Sequence, residues 1–497
     1  LFSVNPAYDI LPPMEDHQKL FKDETFESKL GGIDPKRAYP SWQAMIEAES
    51  KLPKGERVDF ISICTPNDTH FPIAKACLEA GFDVMCEKPM AKDPAGAQAM
   101  LDAARAAGCR VVSAVAAPPE QDAHLRWNLV TNPDRPGTCD RLVWRPDYAS
   151  LESDLADEKD VVAVVAGSEF GVEAAERLAE RFGVRGNPAA TSAIRRNKFE
   201  MKRAIAAAGL DHAKGALVRS ADEACDYVRG NLAFPVMAKP PDGAAALNVF
   251  KCRDEVELRK AVSCVIGTPD GYGKIPHAAV VEEYIPGDEY VVNLFGDADR
   301  LVVTSVWRYE WSHTPYADRI YWNEFLEDPD DPAFAELCSY AKRLYRAVGI
   351  RLGPAHAEIK LSPRGPVAME IGARIMGCAN ETFAHDGMCL DVPMETVKVF
   401  ATGRSDMPER PRLRERLAYA TLPYVAEGTV TGVRGMDVIR ALPTFFCEEL
   451  PVSPGDRIAP SRYLDECHCG VWLKAATEAE LVRDLAVVHE VFRIEVA

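Results

Sequence analysis

The chain has 497 residues, 47% hydrophobic and 27% charged, which is ordinary for a globular protein and long enough for roughly two to four domains. A formal net charge of −18 argues against non-specific nucleic-acid binding and against anionic membrane surfaces. No apolar run reaches the ~18 residues needed to span a bilayer. The chain opens on Leu1 with neither an initiator Met nor a basic, signal-like leader, so its native start is expected to lie upstream. Fourteen cysteines follow no framework spacing; in contexts such as Ile63-Cys64 and Met85-Cys86 they read as reduced core residues of a cytoplasmic protein.

The first 118 residues read as an α/β module. Residues 58–64 form a short apolar run ending at Thr65-Pro66-Asn67. Residues 71–81 have helical apolar spacing and stop at Gly81. Residues 82–89 read as strand then turn, 94–108 as a second helix stopped by Gly108, and 109–117 as another strand. This alternation predicts a parallel sheet. The strings ISICTPNDTHFPIAKACLEAG (61–81) and CEKPMA (86–91) resemble the nucleotide-binding domain of the Gfo/Idh/MocA oxidoreductase family. That resemblance implies that Lys88 sits by a nicotinamide, with Pro66, Asn67 and His70 near the dinucleotide. However, no Gly-x-Gly-x-x-Gly lies upstream, where a pyrophosphate must meet a bare helix N-terminus, and residues 1–30 contain no glycine. The family's catalytic domain is missing too. The module is therefore expected to be a truncated, partial Rossmann-like sheet, kept as scaffold or left by a gene fusion, that does not use NAD(P).

Residues 119–137 are proline-rich and polar, as in a linker. Strands at 141–146 and 161–167 and a helix at 173–183 follow, so 119–190 read as a linker plus a second α/β unit. Next come the motifs that carry chemistry. Lys198 opens a helix in RRNKFEMKRAIAAAGL (195–210), where the bland alternative is a solvated basic face. Lys239 closes the apolar strand FPVMAKP (234–240), and a lysine ending a buried strand needs a partner such as a phosphate. An acidic hinge, VVEEYIPGDEY (280–290), precedes the segment GPAHAEIKLSPRGPVAMEIGARIMG (353–377). There, two apolar strands flank the turn Ser362–Pro366 and read as a hairpin. Glu358 and Glu370, one per strand, make a poor structural pair because like charges repel in a half-dry site. They make a good cage for a hard divalent cation, which takes oxygen ligands. Arg374 offers a planar fork suited to carboxylate or phosphate. His356 faces the same side as Glu358 and either lines the site or simply packs. The aromatic-rich stretch 307–322 lines an amino-acid pocket or fills core. The cluster Cys467-His468-Cys469 is at most half a metal site and is expected to be structural.

In their order and spacing, NKFEM (197–201), FPVMAKP (234–240), EEYIPGDEYVV (282–292), HAEIK (356–360) and MEIGAR (369–374) resemble ATP-grasp enzymes. More narrowly, they resemble the carboxylate–amine ligases that join L-amino acids into dipeptides. The resemblance covers roughly residues 120–497. It implies an α/β and α+β multidomain chain in which the ATP-grasp fold occupies 191–405 and a smaller α/β subdomain occupies 406–497. It implies ATP with Mg²⁺ or Mn²⁺. Lys198 would contact the α-phosphate side, Lys239 phosphate or adenine, and Gly243 would belong to the loop over the phosphates. Glu282, Glu283 and Ile285 would form the hinge that reads the adenine edge, and Glu289 would accept from the ribose. Glu358 and Glu370 would hold the metal, and Arg374 the acyl-phosphate and a substrate carboxylate. Two positions depart from the pattern. The loop 240–252 keeps only Gly243, followed by Ala244–Ala246 and Leu247, and alanine does not reach positive φ cheaply. Gly372 stands where most relatives place Asn, an exchange that fits the dipeptide-ligase branch. The expected activity is amide formation through an acyl-phosphate, with ATP and amino acids as small-molecule partners and a homodimer left open. The rivals are an NAD(P)-dependent oxidoreductase and an ATP-binding scaffold without turnover.

Overall fold

The computed structural model describes residues 42–52, 60–63, 83–86, 110–116, 141–145, 147–167, 169–243, 247–268, 275–377, 387–462, 467 and 469–497. Pro66, Asn67, His70, Lys88, the linker 119–137, Ala244–Ala246, His468 and the helices expected at 71–81 and 94–108 lie outside the described residues. The chain divides into two compact units, Leu1–Ala95 and Gly96–Ala497.

In the first unit, β1 (Phe60–Ile63) and β2 (Asp83–Cys86) pair in parallel. In the second, β3 (Val112–Ala116) and β4 (Arg141–Arg145) do the same. Both pairs have the direction that strand–helix alternation requires. Among the described residues each pair is a two-stranded sheet. Residues 161–167, expected as a strand, run instead as irregular chain. Their side chains are shared among three cores: Val164 packs into one, Ala163 and Val165 into another, and Ala166 into a third. A segment that feeds three cores does not lie flat on one sheet face.

Two antiparallel sheets hold most of the remaining strands. The smaller contains β5 (Gly215–Val218), β6 (Val236–Lys239), β7 (Phe250–Cys252) and β8 (Ala279–Glu283), in the order β5-β8-β6-β7. The helices Ala221–Asn231 and Glu255–Gly267 bury Val228, Leu258 and Val262 against its Val236, Ala238 and Val281. Ser220 and Asp254 cap these helices by accepting from backbone N–H groups of the first turn.

The larger sheet has eight strands. β9 (Asp288–Gly296), β10 (Leu301–Thr314), β11 (Ala317–Glu327), β12 (Gly353–Ser362) and β13 (Gly365–Gly372) are followed by β14 (Arg416–Leu422). β15 (Gly428–Arg434), β16 (Phe445–Glu449), β17 (Arg457–Ile458), β18 (Cys469–Ala475) and β19 (Arg493–Val496) complete the chain. The large sheet runs β13-β12-β9-β10-β11-β14-β18-β16, while β17-β15-β19 form a small sheet of their own. Strands from the C-terminal region therefore extend the ladder that begins with β12 and β13. Alternation along each strand sorts two cores. Val292, Leu294, Ala357 and Ile359 pack under the helix Ala335–Ala347, with its Leu344. Val291, Trp307, Leu326, Leu417 and Trp472 fill the opposite face. Among the described residues no helix is long and apolar enough to cross a membrane.

Candidate active site

The hairpin expected at 353–377 forms, with Ser362 closing its turn. Its hydroxyl donates to the Gly365 carbonyl at 2.8 Å, and Gly365 has φ +97°. A shift in pairing register then decides where the carboxylates lie. Ile359 pairs with Ala368, so an unbroken ladder would set Glu358 opposite Met369. Met369 is instead an extra, bulged residue, and Glu358 stands directly across from Glu370. Twelve residues of sequence separation do not reveal this; the bulge does it.

The two carboxylates have different partners. Glu370 accepts from the Lys198 ammonium at 2.8 Å. The Glu358 carboxylate lies 3.7 Å from His356 Nε2, and the other ring nitrogen meets Asn293 Oδ1 at 3.0 Å. Burial works to raise the Glu358 carboxyl, but His356 and the nearby Lys198 and Arg374 charges outweigh it and hold it below the ordinary carboxylate range. Glu289, one strand further along, is buried and ion-pairs with Arg319 at 2.6 Å. Its carboxyl is raised, first by burial and then by repulsion from Glu358. Negative charge thus accumulates along three adjacent strands. Among the described residues no group of three or more His, Cys, Asp or Glu is placed to hold a metal by itself. Two oxygen donors suit Mg²⁺, which takes one or two carboxylates and completes its shell with phosphate and water, and do not suit a closed thiolate or imidazole site.

A second cluster sits on the helix Lys198–Ala207. Asn197 caps it by accepting from the Phe199 and Glu200 N–H groups at 3.1 Å. The helix start is tied to the loop after β6: Lys198 N donates to the Pro241 carbonyl at 2.7 Å, and Asn197 Nδ2 to Asp242 Oδ1 at 2.8 Å. Lys198 Nζ also donates to the Gly243 carbonyl, at 2.5 Å. Lys202, one turn on, was not anticipated, although its i+4 spacing from Lys198 was a readable signal. Its ammonium donates to the Ala368 carbonyl at 2.8 Å and lies 3.6 Å from Glu282. Lys239, at the end of β6, donates to the other Glu282 oxygen at 2.5 Å. Glu282 is buried, and its Oε2 has no hydrogen-bond partner among the described residues. Burial works to raise its carboxyl, but Lys202 and Lys239 outweigh this and keep it below the ordinary range. Burial lowers the Lys202 ammonium to about 8. Lys198, Lys202 and Lys239 thus bring three ammonium groups together around Glu282 and Glu370 in a dry setting, where an anion could replace a carboxylate as their partner.

The other expected residues fall as follows. Consecutive strand residues point to opposite faces, so Glu283 turns away from Glu282: it accepts from Lys214 N at 3.0 Å and pairs with Arg364 at 2.7 Å. The Ile285 side chain is buried with Ala213 and Val367, and its carbonyl accepts from Lys360 Nζ at 3.1 Å. Arg374 donates through Nε to Glu169 at 2.9 Å and through Nη1 to the Ile375 carbonyl at 2.9 Å. Glu169 was not anticipated; it arrives from about 200 residues upstream in sequence. The aromatic stretch splits: Trp307 is core, edge-on to Trp472 with centroids 6.1 Å apart. Trp311, Tyr309 and Trp322 border a cavity of about 420 Å³ beside Glu289. Cys469 is buried and donates to the Tyr424 hydroxyl at 3.7 Å.

Residues 18–115 match the Gfo/Idh/MocA oxidoreductase family with its NAD-binding Rossmann fold, and residues 232–382 match the ATP-grasp domain family. The chain is 29% identical over 221 residues to dapdiamide A synthase of Enterobacter agglomerans, covering 44% of this chain and 52% of that protein. It is 26% identical over 219 residues to an L-arginine-specific L-amino acid ligase of Bacillus subtilis, covering 43% and 51%. Its matches thus span about half the length of these curated relatives. In fold it is similar to the crystal structure of an L-amino acid ligase from Bacillus licheniformis, with a TM-score of 0.65 and 17% identity over 80% of this chain and 96% of that one. The chain carries an ATP-grasp domain whose homologues include L-amino acid ligases, preceded by a Rossmann segment of the Gfo/Idh/MocA family.

Proposed function

We propose that the chain is an ATP- and Mg²⁺-dependent carboxylate–amine ligase that forms an amide through an acyl-phosphate, with amino acids as substrates. The observation that carries this reading is the register shift that sets Glu358 across from Glu370, with Lys198 bound to one of them. A protein has no structural reason to place two carboxylates in register on a hairpin beside a buried lysine cluster. A site for a metal–polyphosphate complex has one.

In this reading the lysine cluster holds the polyphosphate. Lys198 and Lys239 exchange their present partners, the Gly243 carbonyl and Glu282, for phosphate oxygens, and Lys202 keeps Glu282 neutralised when Lys239 turns away. The hinge backbone at Glu282–Ile285 meets the adenine edge and Glu289 the ribose. Glu358 and Glu370 would hold Mg²⁺, which supplies neutralisation of phosphate charge and alignment of the transferred group. Arg374 orients the substrate carboxylate so that its oxygen attacks the γ-phosphorus in line and ADP leaves. The amine then displaces phosphate from the acyl carbon and loses a proton. Fixed positive groups beside the developing charge lower both barriers. No reaction is assigned to residues 1–118.

ADP release from Mg-ATP with pooled L-amino acids, run beside Glu370→Ala, tests the proposal. Amino-acid-dependent ADP that disappears in the variant supports it. ATP binding without ADP sinks it for these substrates and favours an ATP-binding scaffold, the reading suggested by the glycine-poor loop after Gly243.

A further inference from the structure

Glu169 lies on a one-turn 3-10 segment, Glu169–Gly171, ahead of the helix Val172–Phe182. None of the motifs that define the ATP site includes it, yet it is only 8% exposed. Its Oε1 accepts from Arg196 Nη1 at 2.5 Å, and its Oε2 from Arg374 Nε at 2.9 Å. Burial works to raise its carboxyl, but Arg374, Arg196 and Lys198 outweigh it and keep the group below the ordinary carboxylate range. Two guanidiniums around one carboxylate leave a net positive charge. Arg374 spends Nε on Glu169 and Nη1 on the Ile375 carbonyl, and its Nη2 has no acceptor among the described residues. The fork is therefore held by one side and free on the other.

Position 372 accounts for this geometry. Gly372 has no left-handed φ, so its own backbone does not call for glycine. Its neighbour does: a Cβ at 372 would lie 2.5 Å from Glu169 Oε2 and 3.6 Å from Arg374 Cγ. A carboxylate gripped by two arginines does not swing aside without giving up one of them.

We propose that Glu169 occupies the space of a side chain at position 372 and is a positioning residue for Arg374, so that the segment before the ATP-grasp body completes the active site. What the Arg374 Nη2 then faces, a carboxylate or acyl-phosphate, rests on the ligase reading above. The linkage among Glu169, Gly372 and Arg374 does not.

The test uses the full chain and two readouts. The first is the Arg374 Nε–H resonance in a ¹⁵N spectrum, assigned by its loss in Arg374→Lys. It shifts or broadens in Glu169→Gln and in Gly372→Ala, returns toward its place in Glu169→Asp, and does not change in Glu180→Gln, an exposed control on the neighbouring helix. Adding Gly372→Ala to Glu169→Gln changes little further, because both act through one contact. The second readout is ADP release from Mg-ATP with pooled L-amino acids. Glu169→Gln and Gly372→Ala lower kcat about tenfold or more, while KM for ATP stays within about twofold. An Arg374 resonance unmoved by Glu169→Gln, or effects of the two substitutions that add in full, overturns the linkage. A loss expressed only as a higher KM for ATP overturns the positioning role. A wild-type chain without amino-acid-dependent ADP release sinks the ligase reading and the catalytic half of this proposal, and the resonance shifts still decide the linkage.

Discussion

The two ends of the eight-stranded sheet share one ladder and differ in what they bury. At the β14–β18 end, Leu417, Val471, Trp472 and Leu473 are completely covered, and the main demand is close packing, with the Trp472 indole N–H donating to Glu449 at 3.2 Å. At the β12–β13 end, the same ladder carries His356, Glu358, Lys360 and Glu370, with Glu289 on the adjoining β9. His356, Lys360 and Glu289 are buried and Glu358 and Glu370 half-buried, so each needs a partner, and a paired buried charge stabilises a fold little compared with apolar side chains of the same volume. The apolar end holds the sheet together. The charged end uses that rigidity to keep like charges in register.

Substitutions at the two ends should therefore fail in different ways. The largest effect falls at the apolar end: Trp472→Ala costs about 3–5 kcal/mol of stability by denaturant unfolding, while the folded fraction keeps its KM for ATP. At the charged end, Glu370→Ala lowers amino-acid-dependent ADP release by about a hundredfold, with an unfolding midpoint close to wild type. A Glu370→Ala protein that melts early with normal turnover would erase the distinction between the ends. Lys239→Met comes next, with kcat/KM for ATP reduced about tenfold, mostly in KM, because one of the cations proposed to meet the phosphates is gone.

Two further effects sharpen the same contrast. Burial holds the Lys202 ammonium at about 8, against an ordinary 10.5. Between these values the unfolded chain binds more protons than the folded one, so this group makes stability rise with pH through that window. Wild type should gain stability relative to Lys202→Met from pH 8 to 10.5, by about 2–3 kcal/mol, in paired denaturant titrations. A flat difference would mean that Lys202 is hydrated. Glu283→Gln should matter least. It loosens a partly exposed pair with Arg364 worth at most about 1 kcal/mol, read by denaturant unfolding.

The placement of the candidate residues was legible in the sequence where residue chemistry and local periodicity coincide. Lys239 ends an apolar strand, Lys198 opens a capped helix, and Glu358 and Glu370 interrupt a hairpin whose turn residues are plain. Three features were not legible, each for a physical reason. The bulge at Met369 is a register choice between strands, and composition does not encode register. Glu169 reaches Arg374 across about 200 residues, so its role depends on packing. The strand expected at 161–167 has strand-like composition but divides its side chains among three cores. The ATP-grasp fold followed from motif order. The extension of the larger sheet into the C-terminal region did not, because apolar strands with turn signals do not say which ladder they join.

The central claim is that a carboxylate is activated by phosphoryl transfer at the Glu358–Glu370 hairpin. The most direct measurement supplies Mg-ATP and pooled L-amino acids labelled with ¹⁸O in their carboxylates, and weighs the released phosphate. An acyl-phosphate route moves one ¹⁸O from carboxylate to phosphate, and the account predicts labelled phosphate that disappears in Glu370→Ala. Phosphate released without label, while ADP still forms, would contradict it.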